Sequence, residues 1–337
     1  MTVSNTIELD DLHVAREVRH EVDRIAQGLP AGSSCLVSGS IVEGLGNPNS
    51  DIDVYVIQDG SKPQNAIAVG IRGSRYVDCE YMTLDSLRSL SVRVLSYDWA
   101  TLVDMPMSAM NRYYRLAIAL PVLVTPAAAE VLAAFGKPAA AAAFGDWSVA
   151  KAYQLLARGS ALLAAGLHHE AALTLRASAQ WHANAVLARD GEAYTSSKWV
   201  PEKAARRYGV GSPRYHELVD DFLRPSGSPA DLRDRLRDRV EVPAELHAVL
   251  DGRSCRLGAD VRHVAGAAGG HLVRGRSHVA DLGGLAATVC GRLAAGQSWA
   301  EATDAVSAEL SVSAAELRIA AWHDTTTLRS AAFLTTD

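Results

Sequence analysis

Two short apolar runs near the start of the chain are joined by turn-forming residues, and the second run carries two aspartates. Residues 34–38 have the apolar character of a β-strand and are followed by a Gly-Ser pair. In residues 51–57, apolar side chains alternate with Asp51 and Asp53. Successive side chains of a strand point to opposite faces, so the two carboxylates share one face, about 6–7 Å apart along the backbone. The pattern predicts a sheet that presents two acids beside a glycine–serine turn.

A second pair of strand signals follows and carries two more acids. Residues 66–71 and 76–82 flank the turn sequence at 72–74, which predicts a hairpin in the same small mixed sheet. Asp78 and Glu80 lie on one face of the second strand and could converge on the aspartate pair. Spacing alone does not choose between them. Glu80 is slightly favoured, as a metal neighbour or as the general base for an acceptor.

The turn and the acids together suggest phosphate chemistry. Asp51 and Asp53 repel each other unless a cation lies between them, and carboxylate oxygens suit Mg²⁺. Two such ions can hold both the attacking and the leaving oxygen of a phosphoryl displacement. Gly39 lets backbone amides approach a phosphate, and Ser40 adds a hydroxyl donor where a helix is expected to start. An isolated Asp-x-Asp is typically a solvated strand edge, but the ordered turn, apolar flanks and later acidic strand favour a catalytic site.

This order of glycine–serine turn, Asp51-x-Asp53 and a later acid at residues 78–80 resembles the DNA polymerase β-like nucleotidyltransferase superfamily. The resemblance is to its small bacterial and antibiotic-modifying branches, and it covers residues 30–85 specifically. It implies that a nucleoside monophosphate is transferred from a nucleoside triphosphate, with ATP expected, while pyrophosphate leaves. It also implies a two-ion Mg²⁺ site, with Asp51, Asp53 and Glu80 as the expected ligands.

The resemblance further implies a helical domain that walls the acceptor pocket. The Lys198-Trp199 segment is similar to one seen in several such proteins, and Lys198 could neutralise triphosphate charge. The alternative is a surface lysine beside a packing tryptophan. Arg112 and Arg115, on a predicted helix after the sheet, could also reach phosphates, although both could be ordinary surface arginines.

Helical patterns dominate from residue 84 onward, which predicts an α+β fold. We expect a nucleotidyltransferase domain at residues 1–140 and a helical acceptor-binding domain at 141–250, with residues 138–145 as a linker or a helix start. Residues 251–337 predict a small winged-helix-like α/β module that weakly resembles the PqqD-like fold, which binds leader peptides. Alternatively, its helices could pack on the middle domain or form a dimer interface.

Composition excludes several classes of protein. The net charge of −5 gives no basic field for long nucleic acid. The four cysteines are far apart and contain no Cys-x-x-Cys pair, which argues against a zinc knuckle or a disulfide framework and favours the reducing cytoplasm. The sequence contains no apolar run of the ~18 residues that a membrane span needs, so we expect a soluble protein with no membrane partner.

The leading hypothesis is an Mg²⁺-dependent nucleotidyltransferase that transfers AMP from ATP to a small molecule, in antibiotic modification or specialised biosynthesis. Asp51, Asp53 and Glu80 or Asp78 would form the metal site. Two alternatives remain. The acceptor could be a peptide or protein recruited by the C-terminal module, or the chain could sense a nucleotide without catalysis.

Overall fold

The computed structural model describes residues 16–336 except 47–48, 59–66, 73–74, 267–269 and 276–277. The chain divides into two compact units, each built from separated stretches of sequence. The first comprises Met1–Tyr97, Met105–Gly145 and Val186–Arg207, and the second comprises Asp98–Asp104, Asp146–Ala185 and Tyr208–Asp337.

Helices and strands alternate irregularly, and the predicted α+β class is confirmed. The described strands are β1 Ser33–Ser38, β2 Ile52–Gln58, β3 Ile67–Arg72, β4 Arg75–Thr83, β5 Leu120–Leu123, β6 Cys255–Leu257, β7 Val261–Val264, β8 His271–Arg274, β9 His278–Asp281 and β10 Leu334–Thr336. The described helices are α1 Arg16–Gln27, α2 Leu84–Leu95, α3 Trp99–Val103, α4 Met107–Ala117, α5 Pro126–Leu132, α6 Lys137–Ala164, α7 His168–Arg189, α8 Val200–Tyr208, α9 Pro213–Leu223, α10 Pro229–Arg239, α11 Ala244–Asp251, α12 Gly284–Ala294, α13 Trp299–Leu310, α14 Ala314–Asp324 and α15 Thr326–Ser330.

The sheet of the first unit has the strand order β3-β4-β2-β1-β5 among the described residues. β2 and β4 run parallel, and the other neighbouring pairs are antiparallel. The first four strands confirm the sequence predictions. β5 was not predicted, because it is short and contains Pro121, which gives it the appearance of a turn. The predicted turns at 47–50 and 72–74 lie partly outside the described residues.

One face of this sheet forms a hydrophobic core with α1. The buried side chains alternate along the strands, as a half-covered sheet requires, and include Val22, Cys35, Val37, Ile52, Val54, Val56 and Val77. Because Val54 and Val56 belong to this core, the residues between and beside them on β2 point to the opposite face. Asp53 and Tyr55 are therefore placed on the face away from α1.

Helical predictions for residues 84–96, 106–119 and 126–135 correspond to α2, α4 and α5. The alanine-rich segment at 138–145 is the helix start that was one of its two interpretations, since it lies inside α6. The expected domain boundary at residue 140 falls within the same helix. The predicted opening helix is α1 in its described part, and residues 9–15 of it lie outside the described residues.

The second unit has a core of its own, and it includes residues from the N-terminal half of the chain. Val103 at the end of α3 and Ala150 on α6 belong to the same cluster as Leu317 and Trp322 on α14. The indole Nε1 of Trp322 donates to Asp104 at 3.2 Å. The C-terminal helices therefore share their hydrophobic core with α3 and α6.

Membrane-spanning character was tested over the described residues. No single helix there combines the length and the apolar composition needed to cross a bilayer. α5 and α6 reach that composition as a pair, with a bend of 50° at the break between them.

Candidate active site

The turn after β1 begins with a glycine that the neighbouring strand requires. Gly39 has a φ of +87°, a left-handed conformation that favours glycine. A Cβ atom built there would lie 2.8 Å from Cγ of Asp53 and closer still to its carboxylate oxygen. The Gly39 backbone and the Asp53 side chain therefore occupy adjoining space, and no larger residue at position 39 can leave Asp53 where it is.

Residues after Gly39 form a tight turn. Ser40 is buried, and its carbonyl accepts from the amides of Leu45 at 2.9 Å and Gly46 at 2.8 Å. The amide of Glu43 donates to the Gly39 carbonyl at 3.2 Å. The helix start expected at Ser40 is wrong, because the segment closes into this turn and then leads toward β2. Ser40 thus lies in a compact loop that is stabilised by the two hydrogen bonds to the Ser40 carbonyl.

Three aspartates lie at the ends of two parallel strands. Asp51 immediately precedes β2 and is exposed, and Asp53 is buried on the strand. Asp78 on β4 is in register with Asp53, and paired residues of neighbouring strands share a face. Burial raises the pKa of Asp53, and the charges of Asp51 and Asp78 raise it further. Burial and the charge of Asp51 also raise the pKa of Asp78, so the three carboxylates interact.

Glu80 occupies a different position on the same strand. It pairs in register with Tyr55 rather than with an aspartate. Its carboxylate forms an ion pair and a hydrogen bond with the guanidinium of Arg112 on α4. Of the two acids that the sequence left open, Asp78 is the one beside Asp53, whereas Glu80, which the sequence analysis favoured, is held by an arginine.

Arg115 on α4 contacts the central aspartate. Its Nη1 donates to Oδ1 of Asp53 at 2.8 Å, and it also forms side-chain hydrogen bonds with Tyr55 and Tyr194. Burial lowers the pKa of this guanidinium, but the charge of Asp53 together with the contributions of Tyr194 and Tyr55 outweighs burial, and the pKa is raised. Its Nε is buried and has no hydrogen-bond partner within the described part of the chain. Arg115 thus neutralises Asp53 and keeps one donor available.

Lys198 lies in a 3₁₀ turn at Ser197–Trp199. The lysine is exposed, while Trp199 is buried, and the ammonium is 5.2 Å from the centroid of the indole. The charge of Lys198 lowers the pKa of Asp53, so the two groups are within electrostatic reach. The structure shows an exposed lysine beside a packed tryptophan, and the role of Lys198 toward a triphosphate stays a prediction.

The expected Mg²⁺ site was tested against these residues. Within the described residues, no three acidic, histidine or cysteine side chains are close enough to hold a metal ion as they stand. The donor chemistry nevertheless fits, because carboxylate oxygens are the ligands that Mg²⁺ prefers. The charge of Asp51 contributes to the raised pKa values of both Asp53 and Asp78, after the larger effect of burial, and a divalent cation among the three carboxylates would offset that repulsion.

Sequence reasoning missed a glutamate in the turn and the groups around it. The side chain of Glu43 is 4% exposed and receives Nζ of Lys137 at 3.1 and 3.3 Å. Arg206 on α8 donates from Nη1 to the Glu43 carbonyl at 2.9 Å. These partners are far apart in the sequence, and no spacing pattern connects them. The one available signal was an acid placed between two turn glycines, Gly44 and Gly39.

A cavity of about 670 Å³ also opens within the second unit, between α6, α10 and the turn before α14. Two arginines line it. Arg237 pairs with Glu316 at 2.5 Å, and Arg233 pairs with Asp234 at 2.7 Å. Both guanidiniums therefore have acidic partners, of which Glu316 also lines the cavity.

Comparisons with known proteins assign no family to the chain. No family model matches the chain, and no curated protein sequence matches it. Among solved structures, the fold is similar to that of a nucleotidyltransferase-like protein from Exiguobacterium sibiricum 255-15. The TM-score is 0.34 at 12% identity, and the match covers 69% of this chain and 73% of that one. A similarity this distant leaves the function to be argued from the geometry of the site.

Proposed function

We propose that this chain is a nucleotidyltransferase that moves a nucleoside monophosphate, AMP from ATP, to a small-molecule acceptor. The observation that carries the proposal is the pairing of Asp53 with Asp78 on parallel strands, directly beside the Gly39 turn. Acids in this arrangement suit a divalent metal, and the turn offers backbone amides to a phosphate. In the reaction, an acceptor oxygen bonds to the α-phosphorus, and the bond to the pyrophosphate oxygen breaks.

Each residue of the site has a role in this proposal. Asp51, Asp53 and Asp78 would hold Mg²⁺, which supplies charge stabilisation to the attacking and leaving oxygens. Gly39 and Ser40 would seat the triphosphate, with Lys198 and Arg115 as the positive charges beside its oxygens. Glu80 remains the candidate base for the acceptor proton, with Arg112 fixing its position. The net charge of −5 disfavours a nucleic-acid template, and the sequence resemblance suggests antibiotics and specialised metabolites as the acceptors to test.

The test is a mass-shift screen. The protein is incubated with Mg²⁺, each of the four nucleoside triphosphates and pooled metabolites, and products are searched for an added nucleoside monophosphate together with pyrophosphate release. Asp53→Asn should abolish the product, whereas Asp85→Asn, which removes an exposed pair with Arg88 on α2, should not. Triphosphate binding with no transfer to any small molecule, peptide or protein acceptor would instead identify a nucleotide sensor. No triphosphate binding at all would refute the proposal.

A further inference from the structure

The turn that follows β1 is held from outside by charged side chains. Glu43 lies in this turn, and its nearly buried carboxylate accepts from Lys137 and, at 3.4 Å, from the hydroxyl of Tyr114. The guanidinium of Arg206 approaches the same carboxylate to 3.9 Å. A carboxylate removed from water costs free energy unless it is paired, so these partners are needed wherever Glu43 is buried.

Arg206 does more than neutralise Glu43. Its Nη1 donates to the Glu43 backbone carbonyl at 2.9 Å, which fixes the turn itself and not only a side chain. Its Nε donates at 2.8 Å to Glu192, and a second nitrogen also contacts that carboxylate. The planar guanidinium therefore bridges two segments of the first unit, with a fork geometry that a lysine cannot reproduce.

The two bridged segments are those that carry the proposed triphosphate contacts. Gly39 and Ser40 lie in the turn, and Lys198 lies in the stretch of chain between Glu192 and Arg206. Both ends of that stretch are held by the same bridge. Fixing the bridge therefore fixes where the lysine stands relative to the turn.

We infer that Glu43, Arg206 and Glu192 form a positioning bridge that sets Lys198 and the Gly39–Ser40 turn at the spacing needed to contact one triphosphate. This inference rests on the proposed function and adds positioning residues to it. None of the three contacts the nucleotide. The bridge acts through the geometry that its hydrogen bonds to the Glu43 carbonyl and the Glu192 carboxylate fix.

The experiment measures triphosphate affinity by calorimetry, using ATP, GTP, CTP and UTP with Mg²⁺ on the full-length protein. Arg206→Gln and Lys198→Met are each expected to weaken binding about 10-fold, the loss of one charge-assisted contact. The double variant should bind the triphosphate about 10-fold, not about 100-fold, more weakly than the wild type. Once Arg206 is replaced, Lys198 is no longer held in position, so replacing Lys198 as well costs no further affinity. Arg206→Lys should recover little, and Asp85→Asn should bind like the wild type.

A merely structural role predicts different results. In that case Arg206→Gln lowers the unfolding temperature while the folded protein keeps its affinity, or the two losses multiply to about 100-fold. Either result overturns the inference. If Arg206→Gln does not fold, Glu192→Gln tests the same bridge from its other end and should reproduce the 10-fold loss and its non-additivity with Lys198→Met. A wild-type protein that binds no triphosphate refutes the proposed function itself, which is a separate outcome.

Discussion

Replacing Gly39 with alanine tests the central contact of the site. The left-handed backbone at this position costs an alanine roughly 1–2 kcal/mol. The new methyl group would also collide with the Asp53 carboxylate and must displace it, which breaks the 2.8 Å contact with Arg115. Hydrogen bonds between charged groups contribute about 1.5–3 kcal/mol, and the side chains of Asp53 and Arg115 are 12% and 30% exposed, so most of that loss applies. We expect a total loss of about 3–4 kcal/mol.

Gly32 provides a matched control for this substitution. Its φ is +83°, and a Cβ built there has no atom within 4 Å. Gly32→Ala should therefore cost only the backbone strain, roughly 1–2 kcal/mol. Chemical denaturation of both variants measures the difference, which reports the displacement of Asp53 alone. Adding Asp53→Ala to Gly39→Ala should cost less than the sum of the single variants, because the clashing carboxylate is then gone. Equal losses for Gly32→Ala and Gly39→Ala would refute the reasoning.

Three further predictions concern charge. Asp78→Asn should abolish Mn²⁺ binding measured by titration, whereas Glu80→Gln should leave it unchanged; the reverse result would make Glu80 the metal ligand. Burial and then the charge of Asp51 raise the pKa of Asp78 in the folded protein, so the stability that this group contributes is lost as pH rises from its ordinary pKa through the folded one; Asp51→Asn removes the Asp51 part of that loss and should stabilise the protein at neutral pH by about 0.2–1 kcal/mol, as followed by unfolding midpoints. Asp104→Ala removes the shared acceptor of Trp322 and two arginines, and should lower the free energy of unfolding by about 1–3 kcal/mol in denaturant titrations; an unchanged midpoint would contradict this.

Local patterns in the sequence were sufficient for much of the sheet. The alternation in residues 51–57 predicted β2 and the face on which Asp53 lies, because side-chain direction along a strand alternates from one residue to the next. The sequence could not decide whether Asp78 or Glu80 lies beside Asp53, since both acids are on the same face of β4. The answer depends on the parallel register of β2 and β4, and that register is set by packing across the whole sheet.

The charged partners of the site were equally inaccessible to sequence reasoning. Arg115 was predicted as a phosphate ligand, and the structure places it on Asp53, which lies more than sixty residues earlier in the chain. Glu43 and Arg206 are farther apart still. Such ion pairs form where they offset the free-energy cost of burying a charged group. Which groups are buried follows from tertiary packing and not from the spacing of residues in the sequence.

Gly39 and Asp53 are a single structural feature, although one lies in the turn after β1 and the other lies on β2. The aspartate carboxylate occupies the space that any Cβ at position 39 would need, and β1 and β2 are paired up to Ser38 and Asp53. Each residue therefore restricts what the other can be. The glycine permits a buried acid near the start of the central strand β2, and that acid accepts a hydrogen bond from Arg115. Hence a glycine–serine turn followed by Asp-x-Asp predicts that the carboxylate of the second aspartate lies against the backbone of the glycine. Neither the glycine nor the aspartate can take up this position if the other is replaced by a larger residue.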